Sequence, residues 1–381
     1  MASPIRIGLI GLSQAANTSW ASQGHLPYLL SERGRQRYKI VALLNSSADA
    51  ARRAIADYKL GDDVKAYGSP ADLAADPDVD LVVCTTRVDL HYDTVKPSIA
   101  AGKDVFVEWP LAENVRRARE LADLAKEKGV RTMIGLQGRV APAKLRVQAM
   151  LEAGTIGKLL SSEVKAYGVY LGRDSVSEGM AYILDKKVGG NPVTIAVGHM
   201  IDWIHTIVGE YSTSHAHTQI QRPIFTVTAS DGTTREAHSD VPDLVSVHGT
   251  LATSPHVAEG ASLLLTFRAG PAFPDTPGFT WTLNGERGEI RVTSPSGGYT
   301  QSEVDKTSEI VIEVHDYATD IVRGVKWEWE PEWQASLFHR GRNLGRLYDL
   351  YAEGDEAIRE ARVPDFDAAV ARHTELDALL W

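Results

Sequence analysis

The sequence has one cysteine, no long apolar run and no excess of basic residues. Cys84 is the single cysteine among 381 residues, so no disulfide can form within the chain, which is typical of a reducing compartment. No run of about 18 apolar residues occurs, which predicts that no helix crosses a membrane. The chain carries 40 Lys and Arg against 50 Asp and Glu, and this acidic balance argues against a broad phosphate-binding surface. We expect a cytoplasmic protein with no membrane or nucleic-acid partner.

The length and the apolar content predict a globular protein of more than one domain. Apolar residues make up 43% of the chain, which suffices for complete hydrophobic cores, and 381 residues correspond to two or three domains at about 150 residues each. The start, Met1-Ala2-Ser3-Pro4, lacks the basic segment and apolar core of a secretion signal.

The first third of the chain alternates short apolar strands with helical patterns. This alternation predicts a doubly wound parallel sheet, an α/β Rossmann domain over residues 1–138. One helix is predicted over Glu113–Lys128, where apolar residues recur at helical spacing, and Gly129 ends it. The predicted strands are Ile5–Ile10, Lys39–Leu44, Leu81–Thr85, Asp104–Val107 and Thr132–Leu136.

The character of the chain changes after Arg139. Consecutive strands joined by turn residues predict an α+β domain over 139–381 with a large, mainly antiparallel open sheet. The predicted strands are Leu160–Leu171, Val245–Leu251, Ala261–Arg268, Phe279–Asn284, Glu289–Thr293 and Glu309–His315, and the predicted helices are Ala143–Glu152, Val193–Val208, Asn343–Ala352 and Phe366–Leu380. An alternative for the last helices is that they pack back on the first domain. We expect more apolar strand surface than these helices cover, and therefore a homodimer or a dimer of dimers formed through residues around 245–315.

A glycine-rich turn follows the first strand. The segment Gly11-Leu12-Ser13-Gln14-Ala15-Ala16 approximates the G-x-G-x-x-G/A pattern, in which small residues let backbone N–H groups approach a pyrophosphate. Ser13 replaces the second glycine, and a plain strand–turn is the alternative. Because the turn opens a series of βα units, we interpret Gly11, Leu12, Ser13 and Ala16 as cofactor-binding residues.

The end of the second strand bears on the choice between NAD and NADP. The strand runs into Asn45-Ser46-Ser47, where an NAD-selective site would carry an acidic residue. A carboxylate about 4 Å from a 2′-phosphate would repel it by about 4 kcal/mol per charge pair at an effective dielectric of about 20. Asn45 avoids this repulsion, and the two serines offer hydroxyls. We therefore expect NADP or NAD as the cofactor, with NADP slightly favoured.

Polar residues follow two further strands, where ligands of open α/β sheets bind. They are Thr85, Thr86, Arg87 and His91 after one strand and Glu108 and Trp109 after the next, and all are candidate cofactor-binding residues.

Together with the N-terminal pattern, Thr85–His91, Ala101–Ala112 and Gly198-His199-Met200-Ile201-Asp202 resemble the Gfo/Idh/MocA (glucose–fructose oxidoreductase/inositol dehydrogenase) family. The resemblance covers essentially the whole chain and is greatest to the branch with the fungal galactose-regulon repressor. It implies a dinucleotide-binding domain followed by a domain with a large open sheet, often used for oligomerisation.

The departures from the family pattern concern catalysis. Family dehydrogenases typically carry Glu-Lys-Pro, whose lysine orients the substrate hydroxyl, and this chain has Trp109 in that place. The aspartate often found four residues before the helix histidine is replaced by Ile195. Of the lysine, aspartate and histidine of family dehydrogenases, this chain retains the histidine, His199. The indole of Trp109 cannot take over the proton chemistry of a lysine.

His199 is thus the leading candidate for acid–base work, with Asp202 on the same side of the helix. The alternatives are a histidine that is merely hydrogen-bonded and a metal pair, for which no third ligand has a telling spacing, so no metal is predicted. Tyr182 is a candidate proton donor, and Trp109, Arg139, Tyr167 and Tyr170 are candidate pocket residues. For the tyrosines the alternative is a packed aromatic, and for Arg139 a surface ion pair.

The sequence is compatible with three functions. The first is an NAD(P)-dependent oxidoreductase acting on a small hydroxyl or carbonyl compound, sugar-like or a secondary metabolite, with non-standard catalytic residues. The second is a catalytically silent dinucleotide-binding regulator that contacts another protein, for which the nucleus is an alternative location. The third is a lyase or isomerase that uses its bound cofactor transiently.

Overall fold

The computed structural model describes residues 3–14, 20–169, 172–304, 309–329 and 332–380. The chain divides into two compact units. The first consists of Met1–Gln137, Lys187–Gly190 and Pro331–Thr374, and the second of Gly138–Lys186, Asn191–Glu330 and Glu375–Trp381. Among the described helices, none combines the length and the apolarity needed to cross a bilayer.

The first unit is built on a six-stranded sheet in the order β3-β2-β1-β4-β5-β6. Every pairing in it is parallel, and the apolar strands are buried on both faces because helices cover them. The strands are β1 Ile5–Ile10, β2 Tyr38–Leu44, β3 Lys65–Tyr67, β4 Leu81–Cys84, β5 Asp104–Val107 and β6 Thr132–Ile134. The strand order reverses direction between β1 and β4, and the carboxyl ends at such a switch point form the ligand crevice of this fold.

The helices of this part of the chain follow their sequence signals. They are α1 Leu26–Leu29, α2 Glu32–Arg37, α3 Ala48–Asp57, α4 Pro70–Ala75, α5 His91–Ala100 and α6 Val115–Lys128, with a π-helical turn at Ala21–His25 and a 3₁₀ turn at Val88–Leu90. Helix α6 starts two residues later than predicted because the Asn114 side chain accepts a hydrogen bond from the Arg117 N–H at 3.0 Å and caps it. It ends at Gly129, which has a φ of 66°, as predicted.

The second unit contains an eight-stranded sheet in the order β17-β16-β15-β14-β7-β13-β12-β9 and a three-stranded sheet in the order β11-β10-β8. In the larger sheet only β7 and β13 pair in parallel. The elements are α7 Pro142–Glu152, β7 Leu159–Gly168, β8 Ser175–Ser177, α8 Gly198–Val208, β9 Tyr211–Gln219, β10 Ile224–Thr228, β11 Thr234–His238, β12 Leu244–Leu251, β13 Val257–Ala269, β14 Phe279–Gly285, β15 Gly288–Ser294, β16 Val311–Asp316 and β17 Ile321–Val325. Further 3₁₀ turns lie at Glu178–Leu184, Lys186–Val188 and Gly297–Tyr299.

The predicted helix over Val193–Val208 is divided in the structure. A π-helical turn occupies Val193–Val197, and α8 continues from Gly198. The predicted fold class, an α/β Rossmann domain plus an α+β domain with a large, mainly antiparallel sheet, is confirmed. The unpredicted strands β3, β8 to β11 and β17 are short or largely exposed, so they carry little apolar signal.

One face of the eight-stranded sheet is polar, which corrects the expectation of excess apolar surface. On β14, Phe279, Trp281 and Leu283 are buried, whereas Thr280 and Thr282 between them are half-buried. The alternation continues on neighbouring strands, where the less buried positions include Glu163, Lys165, Ser262, Thr266, Glu289 and Arg291. Because the open face is mainly polar, the apolar-surface argument for a dimer is wrong, and the homodimer itself stays a prediction.

The chain closes with helices α9 Glu332–Ser336, α10 His339–Glu353, α11 Asp355–Glu360 and α12 Phe366–Leu380. Residues up to Thr374 belong to the first unit, and α12 continues into the second from Glu375. Within the first unit, Tyr348 of α10 is fully buried and stacks on Tyr28 with ring centroids 5.6 Å apart.

Candidate functional site

The turn after β1 requires a glycine. Gly11 has a φ of 97°, a conformation that side chains disfavour. An added Cβ would lie 2.8 Å from the Thr86 methyl carbon and 3.1 Å from the Thr85 hydroxyl, so the ends of β1 and β4 approach closely here. Leu12 is buried and Ser13 half-buried. Of the predicted cofactor-binding residues, Ala16 lies outside the described part of the chain.

The end of β2 supports this turn with a side-chain amide. The Asn45 Nδ2 donates to the Leu12 carbonyl oxygen at 2.9 Å. Ser47 caps α3, because its hydroxyl accepts from the Ala50 N–H at 3.1 Å, while Ser46 is exposed. Asn45 therefore acts on the shape of the glycine turn, and no carboxylate stands in its place.

The segment after β4 is held mainly by contacts within the protein. The Thr85 hydroxyl donates to the Ile10 carbonyl at 2.7 Å, and Arg87 makes two contacts of 2.6 Å with Asp89. The buried His91 ring places its nitrogens 2.8 Å from the Thr86 carbonyl oxygen and 2.9 Å from that of Pro110. Burial lowers the pKa of His91. This imidazole thus ties the segments after β4 and β5 together.

Glu108 and Trp109, which follow β5, are both buried. Glu108 Oε1 lies 2.9 Å from Nε2 of His25, whose Nδ1 lies 2.7 Å from the Tyr348 hydroxyl. The Trp109 indole packs against the His373 ring with centroids 4.7 Å apart. Burial lowers the pKa of His373 to about 3, so this neighbour is neutral at physiological pH.

In the second unit, Arg139 and Asp202 form a close ion pair. The guanidinium binds both carboxylate oxygens, with Nε–Oδ2 at 2.8 Å and Nη2–Oδ1 at 2.6 Å. Asp202 is 1% exposed, so this pair is not the solvated surface contact considered above. The bidentate geometry fixes the carboxylate on α8 and engages the guanidinium of Arg139, which was predicted as a pocket residue.

His199 lies three residues before Asp202 on α8 and is buried. Its Nδ1 has no hydrogen-bond partner among the described residues. Burial and the charge of Lys144 lower the pKa of His199 to about 3. The imidazole is therefore neutral at physiological pH and able to donate one hydrogen bond and accept another.

Lys144, which is not among the predicted site residues, belongs to this cluster. It is 4% exposed, and its Nζ lies 4.2 Å from the ring centroid of Trp203. A signal for it exists in the sequence, because Lys144, Val147 and Leu151 recur at spacings of three and four, which places the lysine on the buried face of α7. The structure thus brings Arg139, Lys144, His199, Asp202 and Trp203 into one cluster.

Two of the candidate tyrosines, Tyr182 and Tyr167, lie elsewhere in the second unit. Tyr182 packs against the apolar cluster of the three-stranded sheet, formed by Val176, Ile183, Leu184, Phe225 and Val227. The Tyr167 ring on β7 has the Arg268 guanidinium 5.0 Å from its centroid. Tyr170 lies outside the described residues.

One group of possible metal ligands occurs among the described residues, namely His205, Glu210 and Glu375. The His205 ring is already engaged, with Nδ1 2.7 Å from the Gly209 carbonyl oxygen and Nε2 2.8 Å from Glu375 Oε1. These contacts make an internal bridge that joins α8 to the end of α12.

Both parts of the chain match known families. Residues 5–136 match an oxidoreductase family with an NAD-binding Rossmann fold, GFO_IDH_MocA, and residues 142–294 match the C-terminal domain of Gal80p. The dehydrogenase aclE of Aspergillus oryzae is 32% identical over 381 residues, which cover 100% of this chain and 96% of that protein. The chain belongs to the Gfo/Idh/MocA family.

The chain also resembles a regulatory protein. The galactose/lactose metabolism regulatory protein GAL80 of Saccharomyces cerevisiae is 27% identical over 311 residues, or 78% of this chain and 68% of that protein. A crystal structure of a super-repressor mutant of Gal80p from the same yeast aligns with a TM-score of 0.84 at 23% identity, over 99% of this chain and 95% of that one. This second likeness concerns the fold alone. The family resemblance predicted from the motifs is confirmed.

Proposed function

We propose that this protein is an NADP(H)- or NAD(H)-dependent oxidoreductase that acts on a small hydroxyl or carbonyl compound, sugar-like or a secondary metabolite. The observation that carries the proposal is the Gly11 turn at the carboxyl end of β1, whose φ of 97° and tight approach to Thr85 and Thr86 admit no side chain. Such a turn at a switch point lets backbone N–H groups meet a pyrophosphate. The similarity to aclE, a dehydrogenase, supports the proposal that the protein is an enzyme.

Within this proposal the first unit binds the dinucleotide, which accepts or supplies the hydride when bound. The residues proposed to hold it are Gly11, Leu12, Ser13, Ala16, Asn45, Ser46, Ser47, Thr85, Thr86, Glu108 and Trp109. Arg87 and His91 stabilise the segment beside them through Asp89 and two carbonyl groups. NADP is favoured because Asn45 brings no negative charge to the ribose position.

In the second unit, His199 is proposed to contact the substrate oxygen. A neutral imidazole donates a hydrogen bond to a carbonyl or accepts one from a hydroxyl. Asp202, bound by Arg139 through both oxygens, fixes the neighbouring turn of α8.

A regulator without turnover is the second candidate function. It is favoured by Trp109 and Ile195, which stand where family dehydrogenases have a lysine and often an aspartate, and by the relative named as a regulatory protein. Such a protein would bind the dinucleotide and contact another protein.

Two measurements separate these functions. Calorimetry should show binding of a nicotinamide dinucleotide, with NADP at least as tight as NAD, and binding at 100 times the dissociation constant should stabilise the fold by about 2.7 kcal/mol. Spectrophotometry over a panel of polyols, sugars and carbonyl compounds should show a change in reduced-nicotinamide absorbance. Absence of dinucleotide binding would overturn both candidates, and binding without any turnover would favour the regulator.

A cytoplasmic homodimer or dimer of dimers is part of the same proposal. The lone buried Cys84 suits a reducing compartment, and the wide polar face of the eight-stranded sheet is the surface proposed for association. Light scattering at micromolar concentration should give a mass of at least twice 41.5 kDa, and a monomer mass would contradict it.

A further inference from the structure

The amine of Lys144 is buried without a hydrogen-bond partner among the described residues. The residue is 4% exposed, and its Nζ lies over the face of Trp203, 4.2 Å from the ring centroid. A buried ammonium is unfavourable unless it is paired, so natural proteins seldom keep one without a reason. The position of Lys144 therefore calls for a functional explanation.

The carboxylate that could neutralise Lys144 is already engaged. Asp202 is the acidic group whose charge acts on the lysine, yet both of its oxygens are bound by the Arg139 guanidinium at 2.8 and 2.6 Å. Arg139 thus competes for the counter-ion, and the Lys144 amine is left with the aromatic face. This arrangement favours an amine that exchanges its proton over one held permanently as an ammonium.

Two further polar atoms in the same cluster have no partner among the described residues. They are Nδ1 of His199 and Nε1 of Trp203. The backbone of Gly138 packs closely against this cluster, since a Cβ there would lie 2.7 Å from Cδ1 of Trp203 and 3.3 Å from Nζ of Lys144. An amine, an imidazole and an indole N–H together make a suitable set to surround one oxygen atom of a ligand.

We propose that Lys144 exchanges the proton with the substrate oxygen. Family dehydrogenases have a lysine after β5 for this step, and this chain has Trp109 there. The inference rests on the proposed oxidoreductase function. In the oxidation direction, the free amine accepts the hydroxyl proton as the O–H bond breaks, and the carbon-bound hydrogen leaves as hydride to the oxidised dinucleotide. The products are a carbonyl compound, the reduced dinucleotide and the Lys144 ammonium, which returns its proton to water. Reduction runs the same steps in reverse.

The charges around Lys144 agree with this role. Burial lowers the pKa of Lys144 well below its usual range, against the opposing effect of Asp202, which favours the free amine over the ammonium. His199, with its pKa lowered to about 3, binds a substrate oxygen but does not retain a proton at neutral pH. Lys144 is therefore the group in this cluster suited to accept the substrate proton and to release it to water.

The test compares the pH dependence of kcat/KM for wild type, Lys144→Met and Lys144→Arg. Methionine preserves much of the length and volume of the side chain but has no proton to exchange, and arginine keeps the charge but does not release a proton. In both variants kcat/KM should fall by about 10²–10⁴-fold, and the part of the pH profile that reports titration of the Lys144 amine should disappear. The dinucleotide affinity should stay within about twofold of wild type. Lys158→Met, at an exposed lysine of the same unit, should behave as wild type. Methylamine should restore part of the turnover of Lys144→Ala.

A second measurement does not depend on turnover. In protein labelled with ¹³C at lysine Cε, the signal absent from Lys144→Met identifies Lys144, and it should titrate below the other lysines. Titration of the Lys144 amine at about pH 10.4 would overturn its proposed role and leave the oxidoreductase function standing. Unchanged turnover and an unchanged pH profile in Lys144→Met would do the same. Absence of turnover in the wild type would overturn both.

Discussion

Buried polar groups differ between the segments that follow β4 and β5 and the cluster on α7 and α8. In the first, His91 contacts two backbone carbonyls, and Glu108 contacts His25. In the second, Lys144 and Nδ1 of His199 are buried without hydrogen-bond partners among the described residues. His91, Glu108 and His199 stand at positions where the sequence pattern indicates a functional site, whereas Lys144 was not predicted.

This difference separates support from chemistry. A buried group with its partners in place stabilises the surrounding backbone and is difficult to protonate or move. A buried group without partners destabilises the fold, but it keeps its hydrogen-bonding capacity for a ligand. The strand ends of the first unit therefore serve as a rigid support, and the α7–α8 cluster of the second unit carries the reactive groups.

The largest expected effect is on turnover, in the second unit. His199→Ala removes a neutral hydrogen-bonding group proposed to contact the substrate oxygen, and should lower kcat by about 10²–10³. Dinucleotide affinity by calorimetry should be nearly unchanged, because the dinucleotide site is proposed on the first unit. His248→Ala, at an exposed histidine of β12, is the matched control. Wild-type turnover in His199→Ala would place the chemistry on other residues.

The next effect is a loss of stability in acid that involves both units. Burial lowers the pKa of His199 and His373 from 6.5 to about 3, so the unfolded chain binds more protons than the folded one between these values. The free energy of unfolding should have its full value above about pH 6.5. It should fall as the pH drops towards about 3, by about 1.4 kcal/mol per pH unit for each group. Thermal melts from about pH 7 to 4 measure this slope. His199→Asn, which cannot be protonated, should flatten it, and an unchanged slope would contradict the assignment.

A smaller effect is expected when the support in the first unit loses a partner. Glu108→Ala leaves the fully buried His25 ring without its carboxylate, and should lower the free energy of unfolding by about 1–3 kcal/mol. Glu108→Gln keeps an acceptor and should lose less. Urea unfolding provides the measurement, with the exposed Glu127→Ala as control. Equal stability of Glu108→Ala and the control would show that the pair contributes little.

The smallest effect concerns Trp109. Its indole packs on the His373 ring, and such an aromatic contact contributes about 0.5–1.5 kcal/mol beyond burial. Trp109→Phe keeps an aromatic ring, so dinucleotide binding should stay within about tenfold and turnover should persist. A complete loss of turnover would give the indole a direct part in the reaction.

Local patterns were sufficient for most of the first unit. Strands β1 and β5 have the predicted bounds, because near-continuous apolar runs between turn signals leave little freedom of register. Strands β8 to β11 escaped prediction, since exposed strands of mixed composition carry no such run. The open sheet face was misjudged for a related reason, namely that alternation along a strand becomes meaningful only once its neighbours are known.

The sequence by itself determined the family, the Rossmann topology and the glycine turn, because these depend on apolar periodicity and on a backbone conformation that few residues adopt. Only the tertiary structure decided which polar groups have partners. Arg139 and Asp202 are 63 residues apart in sequence, and their pairing engages the acidic group whose charge acts on Lys144. Because desolvation and pairing are set by groups brought together in space, the chemical state of Lys144 and His199 follows from packing and cannot be read from spacing along the chain.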